Sequence, residues 1–235
     1  MSSENKNIML SVSELNAYYG SLKALQGINI EFFTGECVGI FGHNGCGKST
    51  LLNCLIGAVE ETEGSIKFND TKIIPGSIPR NILLGIGMVP QVNNVFPNLS
   101  VEQCLKIAGI QRQSASLQEV YEIFPILKDR RVQYAGSMSG GEQQILAVAM
   151  SLMTKPKVML LDEPTAGLSP IAAENVLGSL KDINQNFGTT IIIVEQNVLL
   201  ALKIVQRGII LRAGQVVFDN DSSILKDASN LWEYF

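Results

Sequence analysis

Charge is scarce in this chain of 235 residues: Asp, Glu, Lys and Arg make up 17%, well below the roughly 25% of an ordinary soluble protein, while hydrophobic residues reach 46%. That balance excludes a disordered chain. It leaves two destinations for the apolar side chains, a sheet covered on both faces or a surface covered by partners. Histidine is scarcer still. His43 stands alone, which removes every site needing two imidazoles, the HExxH zinc proteases included. The four cysteines, Cys37, Cys46, Cys54 and Cys104, form no CxxC pair; zinc and thioredoxin-like chemistry therefore lack their geometry, and free, reduced thiols are expected. No apolar run reaches the roughly 18 residues of a membrane span, since ILAVAMSLM stops at Thr154 and holds a serine. There is no basic block either. Lys plus Arg number 18 against 22 Asp plus Glu, a net charge of −4, so nucleic acid is not an expected partner. The opening MSSENKN shows no charged stretch running into an apolar one, and the expectation is a cytoplasmic protein.

What is present falls into two rhythms. Ile28, Ile30 and Phe32 alternate with polar neighbours, and SIKFND (65–70) does the same before an Asn-Asp turn, which predicts antiparallel strands in the opening third. CVGIF (37–41), VMLL (158–161) and TIIIV (190–194) are instead short unbroken apolar runs, the pattern of parallel strands buried on both faces. Helical stripes lie between them: Leu51, Leu52, Leu55 and Ile56, closed by Gly57, and Ala173, Val176, Leu177, Leu180 and Ile183, closed near Gly188. Residues 100–130 interrupt the alternation. Ser100 with Gln103 reads as a capping box, and Leu117, Val120, Tyr121 and Phe124 continue as helix until Pro125. The interruption reads as a helical insertion within one domain, because no low-complexity linker sets it apart.

GHNGCGKS (42–49) fits G-x-x-x-x-G-K-[ST], directly after the buried run CVGIF and directly before a helical stripe beginning near Ser49. Gly42, Gly45 and Gly47 let the backbone wrap a phosphate chain with N–H groups inward, and the helix turns its positive end toward that charge. Lys48 is expected to reach the β- and γ-phosphates and the Ser49 hydroxyl to ligate Mg²⁺. His43, Asn44, Cys46 and Thr50 complete the nucleotide-binding stretch; the His43 and Cys46 side chains are assigned no chemistry. The third glycine of a Rossmann fingerprint is missing. VMLLDEP (158–164) supplies the second half of such a site, a buried strand ending in two adjacent carboxylates. Asp162 is expected to hold the Mg²⁺ shell and Glu163 to polarise an attacking water as general base.

A phosphate loop with paired acids suits kinases, GTPases and motor ATPases alike. MSGGEQQ (138–144) separates them. It resembles the LSGGQ signature of ATP-binding cassette (ABC) ATPases, with Ser139 standing 23 residues before Asp162, and the Asn/Lys-x-x-Asp motif of GTPases is not evident at the expected late position. The similarity runs from Tyr19 to the 210s. It implies an α/β P-loop NTPase of RecA-like type, with a mainly parallel sheet, an N-terminal antiparallel β subdomain and an inserted helical lobe. The expected layout is one ABC ATPase domain over 1–235: antiparallel β plus P-loop core in 1–90, the helical insertion in 91–138, and the signature helix, acidic strand and remaining core in 139–235.

The resemblance also implies roles. ATP and Mg²⁺ are the expected ligands. Tyr19 looks like the aromatic that stacks on adenine. Gln91, in MVPQ, is similar to the glutamine that senses Mg²⁺ and links the core to the helical lobe, and it counts with Glu163 and Gln196 among the catalytic residues. Ser139, Gly140, Gly141 and Glu142 place a hydroxyl, open N–H groups and a helix N-terminus before an anion. In the family that anion is the γ-phosphate held by a second subunit, so two cassettes face head to tail. Without that precedent SGGE would read simply as a helix N-cap. Gln196 stands where the family carries its switch histidine; an amide donates a hydrogen bond but does not titrate. Met150 replaces a common arginine, and Ser169 replaces a common aspartate at the dimer seam.

VEQN, GGEQQ, VFPNLSV and DEPTAGLSP resemble the branched-chain amino-acid importer subgroup, to which urea importers are also similar. The resemblance implies an ATP-hydrolysing importer subunit, peripheral on the inner face of the cell membrane. Its implied partners are integral-membrane permease subunits, a second ABC ATPase subunit, identical or related, and an extracytoplasmic solute-binding protein. The alternatives are an importer of urea or another small solute and, in a different class, a soluble cassette ATPase of iron–sulfur assembly or repair. LWEYF, with Trp232 as the only tryptophan, is expected to be a small packing patch.

Overall fold

A computed structural model describes residues 7–92, 94–110 and 116–226. The expectations for residues 1–6 and for the Trp232 patch lie outside the described residues.

The chain opens as a hairpin of β1 (Ile8–Tyr19) and β2 (Leu22–Phe33), crosses to β3 (Cys37–Phe41) and enters α1 (Lys48–Ile56). Then β4 (Thr62–Phe68) and the two-residue β5 (Thr71–Lys72) return to the hairpin, forming an antiparallel sheet in the order β2-β1-β4-β5. Val12 pairs with Ile30 on one side and Ile66 on the other, so the alternating apolar positions share one covered face. The Asn-Asp turn stands between β4 and β5, with Asn69 at φ 50°.

A second, six-stranded sheet carries the chemistry. After α2 (Ile78–Leu83) come β6 (Ile86–Val89), three short helices α3 (Val101–Ala108), α4 (Leu117–Ile123) and α5 (Pro125–Asp129), then α6 (Gly140–Leu152) and β7 (Val158–Asp162). The chain continues through α7 (Pro170–Phe187), β8 (Thr190–Val194), α8 (Val198–Ala201), β9 (Arg207–Arg212) and β10 (Gln215–Asp221). The order is β10-β9-β3-β8-β7-β6, parallel throughout except for the antiparallel edge strand β10.

Strands β3, β7 and β8 are buried at every position, and the reason is visible in two cores on opposite faces of the sheet. Met159, Leu161, Ile191, Ile193 and Phe41 face the helices α3, α6 and α7; Val158, Leu160, Ile192, Val194 and Ile40 face α1 and the antiparallel sheet. Successive side chains point to opposite faces, so an unbroken apolar run serves both. Truncating one of these, Leu160→Ala for instance, removes about 2–5 kcal/mol by the usual cavity arithmetic.

Helix ends follow their sequence signals. Ser100 and Gln103 form the expected capping box on α3, and Gly57 and Gly188 close α1 and α7 in left-handed conformations. Pro125 does more than stop a helix: it follows the end of α4 and opens α5, where its missing N–H is no loss. All four cysteines are free and buried. Burial pushes the Cys37 and Cys54 thiols up to about 12 and raises those of Cys46 and Cys104 as well. No helix among the described residues is long and apolar enough to cross a membrane.

Candidate active site

Parallel strands deliver their loops to one edge, and four of those loops, after β3, β6, β7 and β8, converge here. The first follows β3. Gly42 has φ 141°, and a Cβ there would stand 2.2 Å from the Leu211 carbonyl oxygen; Gly47, the N-cap of α1, has φ 109°, and its Cβ would stand 2.7 Å from Leu25. Only glycine fits either position. The first turn of α1 has no capping side chain and no acidic residue, leaving its N–H groups to an incoming anion. Lys48 is buried, its Nζ donating to the carbonyls of Gly42 (2.8 Å) and His43 (3.1 Å). Those carbonyls orient the ammonium without neutralising it, a charge state suited to a phosphate.

The second loop follows β7. The Ser49 hydroxyl donates to Asp162 Oδ1 at 3.0 Å. Burial raises the Asp162 pKa, helped by the neighbouring Glu163 charge and opposed by the Ser49 hydrogen bond and the Lys48 charge. A buried carboxylate beside a hydroxyl, both oxygen donors, fits Mg²⁺, which takes one or two protein oxygens and completes its shell with phosphate and water. Glu163, next in the chain, has φ 46°, a left-handed conformation that costs a non-glycine residue of order 1–3 kcal/mol. Its N–H donates to the Val194 carbonyl at 2.9 Å, anchoring the turn to β8.

The third loop follows β8 and closes on that glutamate. Gln196 Nε2 donates to both Glu163 oxygens at 2.8 Å, and Gln91 Nε2, from the loop after β6, donates to Glu163 Oε2 at 2.8 Å. Two neutral amides therefore fix the orientation of one carboxylate, and neither competes with it for a proton.

These groups border a cleft of about 460 Å³ lined by Tyr19, Asn44, Gly45, Gly47, Lys48, Ser49, Thr50, Gln91, Glu163 and Gln196, together with Leu22 and Ala24. Tyr19 is 51% exposed, so it is a rim residue with a free ring face and not a core tyrosine. Gly42, His43 and Cys46 do not line this cleft, His43 and Cys46 bordering a separate pocket beside Leu211, and Asp162 touches the cleft through Ser49.

The signature residues stand apart from this cleft. Ser139 caps α6, its Oγ accepting from the Glu142 N–H at 3.4 Å and donating to Glu142 Oε2 at 2.9 Å, while the Ser139 N–H donates to the same oxygen at 2.9 Å. Arg130, at the end of α5, forms an ion pair with Glu142 at 2.8 Å. Burial works against the Glu142 charge, but the two Ser139 hydrogen bonds and Arg130 outweigh it, and its pKa falls. Gly140 faces Leu168, and a Cβ on Gly141 would stand 2.8 Å from the Ala172 Cβ, so the turn lies tight against the start of α7.

Sequence reasoning missed four contributors. Leu22 and Ala24 line the cleft with no motif to mark them. Arg130 carries no signal outside its contact with Glu142. Glu195 is 3% exposed at the end of β8, and a carboxylate closing an all-apolar run was the available clue, as it was at Asp162. Of the departures other than Gln196, Met150 lines a groove with Met88 and Ala147, and Ser169 caps α7 by accepting from the Ala172 N–H.

Residues 25–166 match the model of a family described as ABC transporter. The chain is 38% identical over 223 residues to the high-affinity branched-chain amino acid transport ATP-binding protein BraG of Pseudomonas aeruginosa, covering 92% of this chain and 94% of that one. It is 36% identical over 221 residues to the probable branched-chain amino acid transport ATP-binding protein LivF of Archaeoglobus fulgidus, with the same coverage of both. Among solved structures, cbiO1 of Clostridium perfringens, part of the transporter complex cbiONQ, superposes with a TM-score of 0.82 at 28% identity, covering 97% of this chain and 94% of that one. The cassette MJ0796, solved as a dimer in a post-hydrolysis state with ADP and phosphate, superposes with a TM-score of 0.80 at 25% identity over 91% of this chain and 99% of its own.

Proposed function

The chain belongs to the ABC transporter family, and from that premise we propose that it is the ATP-hydrolysing subunit of an importer for branched-chain amino acids. Its site residues supply both halves of a composite active site. Tyr19 offers its exposed ring to adenine. The loop from Gly42 to Thr50 wraps the phosphates, with Lys48 on the β- and γ-phosphoryl oxygens. Ser49, Asp162 and the free amide oxygen of Gln91 are the groups that would hold Mg²⁺, which spreads the negative charge developing on those oxygens.

Glu163 accepts a proton from the water that attacks the γ-phosphorus. A new P–O bond forms, the bond to the β–γ bridging oxygen breaks, and ADP and inorganic phosphate result. Gln196 and Gln91 hold the base in place. The second half comes from the neighbouring cassette: Ser139, now donating to Glu142, turns its hydroxyl to the γ-phosphate across the seam, and the signature N–H groups follow. The helices between residues 91 and 138 form the lobe through which closure and separation reach the permease subunits at the inner membrane face. An extracytoplasmic binding protein delivers the solute.

The observation that carries this reading is the Glu163 carboxylate, clamped by two amides on the wall of the phosphate-loop cleft. Glu163→Gln is expected to bind ATP, to remain a dimer by size-exclusion chromatography, and to turn over ATP about 10²–10⁴-fold more slowly. An unimpaired rate would remove the base assignment. The cargo is tested separately, by uptake of labelled leucine against labelled urea in vesicles carrying the co-purified permease.

A further inference from the structure

The two loops that hold the hydrolytic groups are stitched together by one buried carboxylate that no motif assigns. Glu195 Oε1 accepts two hydrogen bonds from Thr165, from its N–H at 2.9 Å and its hydroxyl at 2.7 Å. Oε2 accepts the Gln196 N–H at 3.2 Å, and the Asn197 backbone N–H also bonds the carboxylate. Thr165 lies two residues beyond Glu163, within the same turn, whose Ala166 N–H closes back on the Glu163 carbonyl at 3.0 Å. Glu195 thus grips the far side of the turn while the adjacent Gln196 grips the Glu163 carboxylate.

Placing an acid at 3% exposure is costly, and burial does raise its pKa. Fold stability alone gives little reason for it, since an apolar side chain would extend the run of β8. The hydrogen bonds give one: a left-handed turn bearing the base must keep its Cα within a fraction of an ångström of where the two amides can reach it. We propose that Glu195 is a positioning residue for hydrolysis, acting through Thr165 and the Gln196 backbone to hold Glu163 and Gln196 in register. Glu195 does not line the phosphate-loop cleft.

The inference rests on the assignment of Glu163 and Gln196 to the hydrolytic step. The test is steady-state ATPase kinetics with equilibrium nucleotide binding on the whole chain. Glu195→Gln, which places amide hydrogens against the Gln196 and Asn197 N–H groups, is expected to lower kcat by about 10- to 100-fold while KM for ATP and nucleotide affinity stay within about twofold. Thr165→Val, which removes only the hydroxyl, is expected to lower kcat in the same sense, and Thr165→Ser to restore it. Wild-type kcat in both Glu195→Gln and Thr165→Val overturns the proposal, as does a loss shared equally by kcat and nucleotide affinity. Should Glu195→Gln fail to fold, the Thr165 pair decides alone: failure of Thr165→Ser to recover what Thr165→Val loses is then the overturning result. Gln196→Ala and Glu163→Gln are run alongside. If those two turn over normally the site reading itself falls; if they are impaired and the Glu195 and Thr165 variants are not, only the positioning role falls.

Discussion

Two turns in this molecule end in a glycine-rich helix N-terminus, and they are built in opposite ways. The turn into α1 is open: Gly47 offers no capping side chain, the first helical turn has no acid of its own, carbonyls orient the Lys48 ammonium, and the nearby Asp162 carboxylate meets the turn through the Ser49 hydroxyl. The turn into α6 is closed on itself: Ser139 and Glu142 satisfy each other's backbone donors, and Arg130 balances the carboxylate. The first leaves its N–H groups to an incoming anion, since no side chain caps them. At the second the anion must displace an internal hydrogen bond and tolerate a neighbouring negative charge. On the proposed function, a single chain binds a triphosphate at α1, whereas engagement at α6 needs the phosphate to be presented by a docked neighbour, whose other contacts offset the displacement.

The largest effect that would break this contrast is at the open turn. Lys48→Ala is expected to reduce ATP affinity of the isolated chain by about 100-fold or more, since it removes the charge on the phosphates from a buried site; isothermal titration with ATP measures it, and unchanged affinity would show that the loop does not hold phosphate. Ser139→Ala is expected to act elsewhere. Binding of ATP by the single chain stays as it was, while ATP-dependent dimerisation of the Glu163→Gln background weakens by roughly tenfold, read by analytical ultracentrifugation; a loss of monomer affinity instead would merge the two turns into one site.

Glu142 gives the smallest and sharpest difference. Its folded pKa lies below the ordinary 4.5, so its contribution to stability is complete above that value and is lost as pH falls through the lowered one. Acid titration of unfolding should therefore be shallower below pH 4.5 in Glu142→Gln than in the native chain. Identical slopes would mean that the closed turn is not held by that charge.

Much of this was legible beforehand because it lies in local patterns. The unbroken apolar runs announced strands buried on both faces, and Gly57, Gly188 and the Ser100–Gln103 box marked helix ends through short-range rules. Lys48, Ser49, Asp162 and Glu163 could be named because the phosphate loop and the strand-end acids are contiguous in sequence. What was hidden depends on long-range register. That Gln91 and Gln196 meet on one carboxylate follows from β6, β7 and β8 being neighbours in the sheet, and that Glu195 reaches Thr165 follows from the same pairing, 30 residues apart in the chain. The self-capping of Ser139 was present in the sequence as an S-x-x-E box.

The burial of all four thiols has a practical corollary. With Cys37 and Cys54 held near pKa 12 and Cys46 and Cys104 enclosed, the native fold presents maleimides and spin labels with no reactive sulfur at neutral pH. A reporter cysteine introduced at an exposed position, Tyr134 at 63% exposure for instance, would then be the sole target, allowing the opening and closing of the proposed cassette pair to be followed by fluorescence or electron resonance without first stripping the protein of its own cysteines.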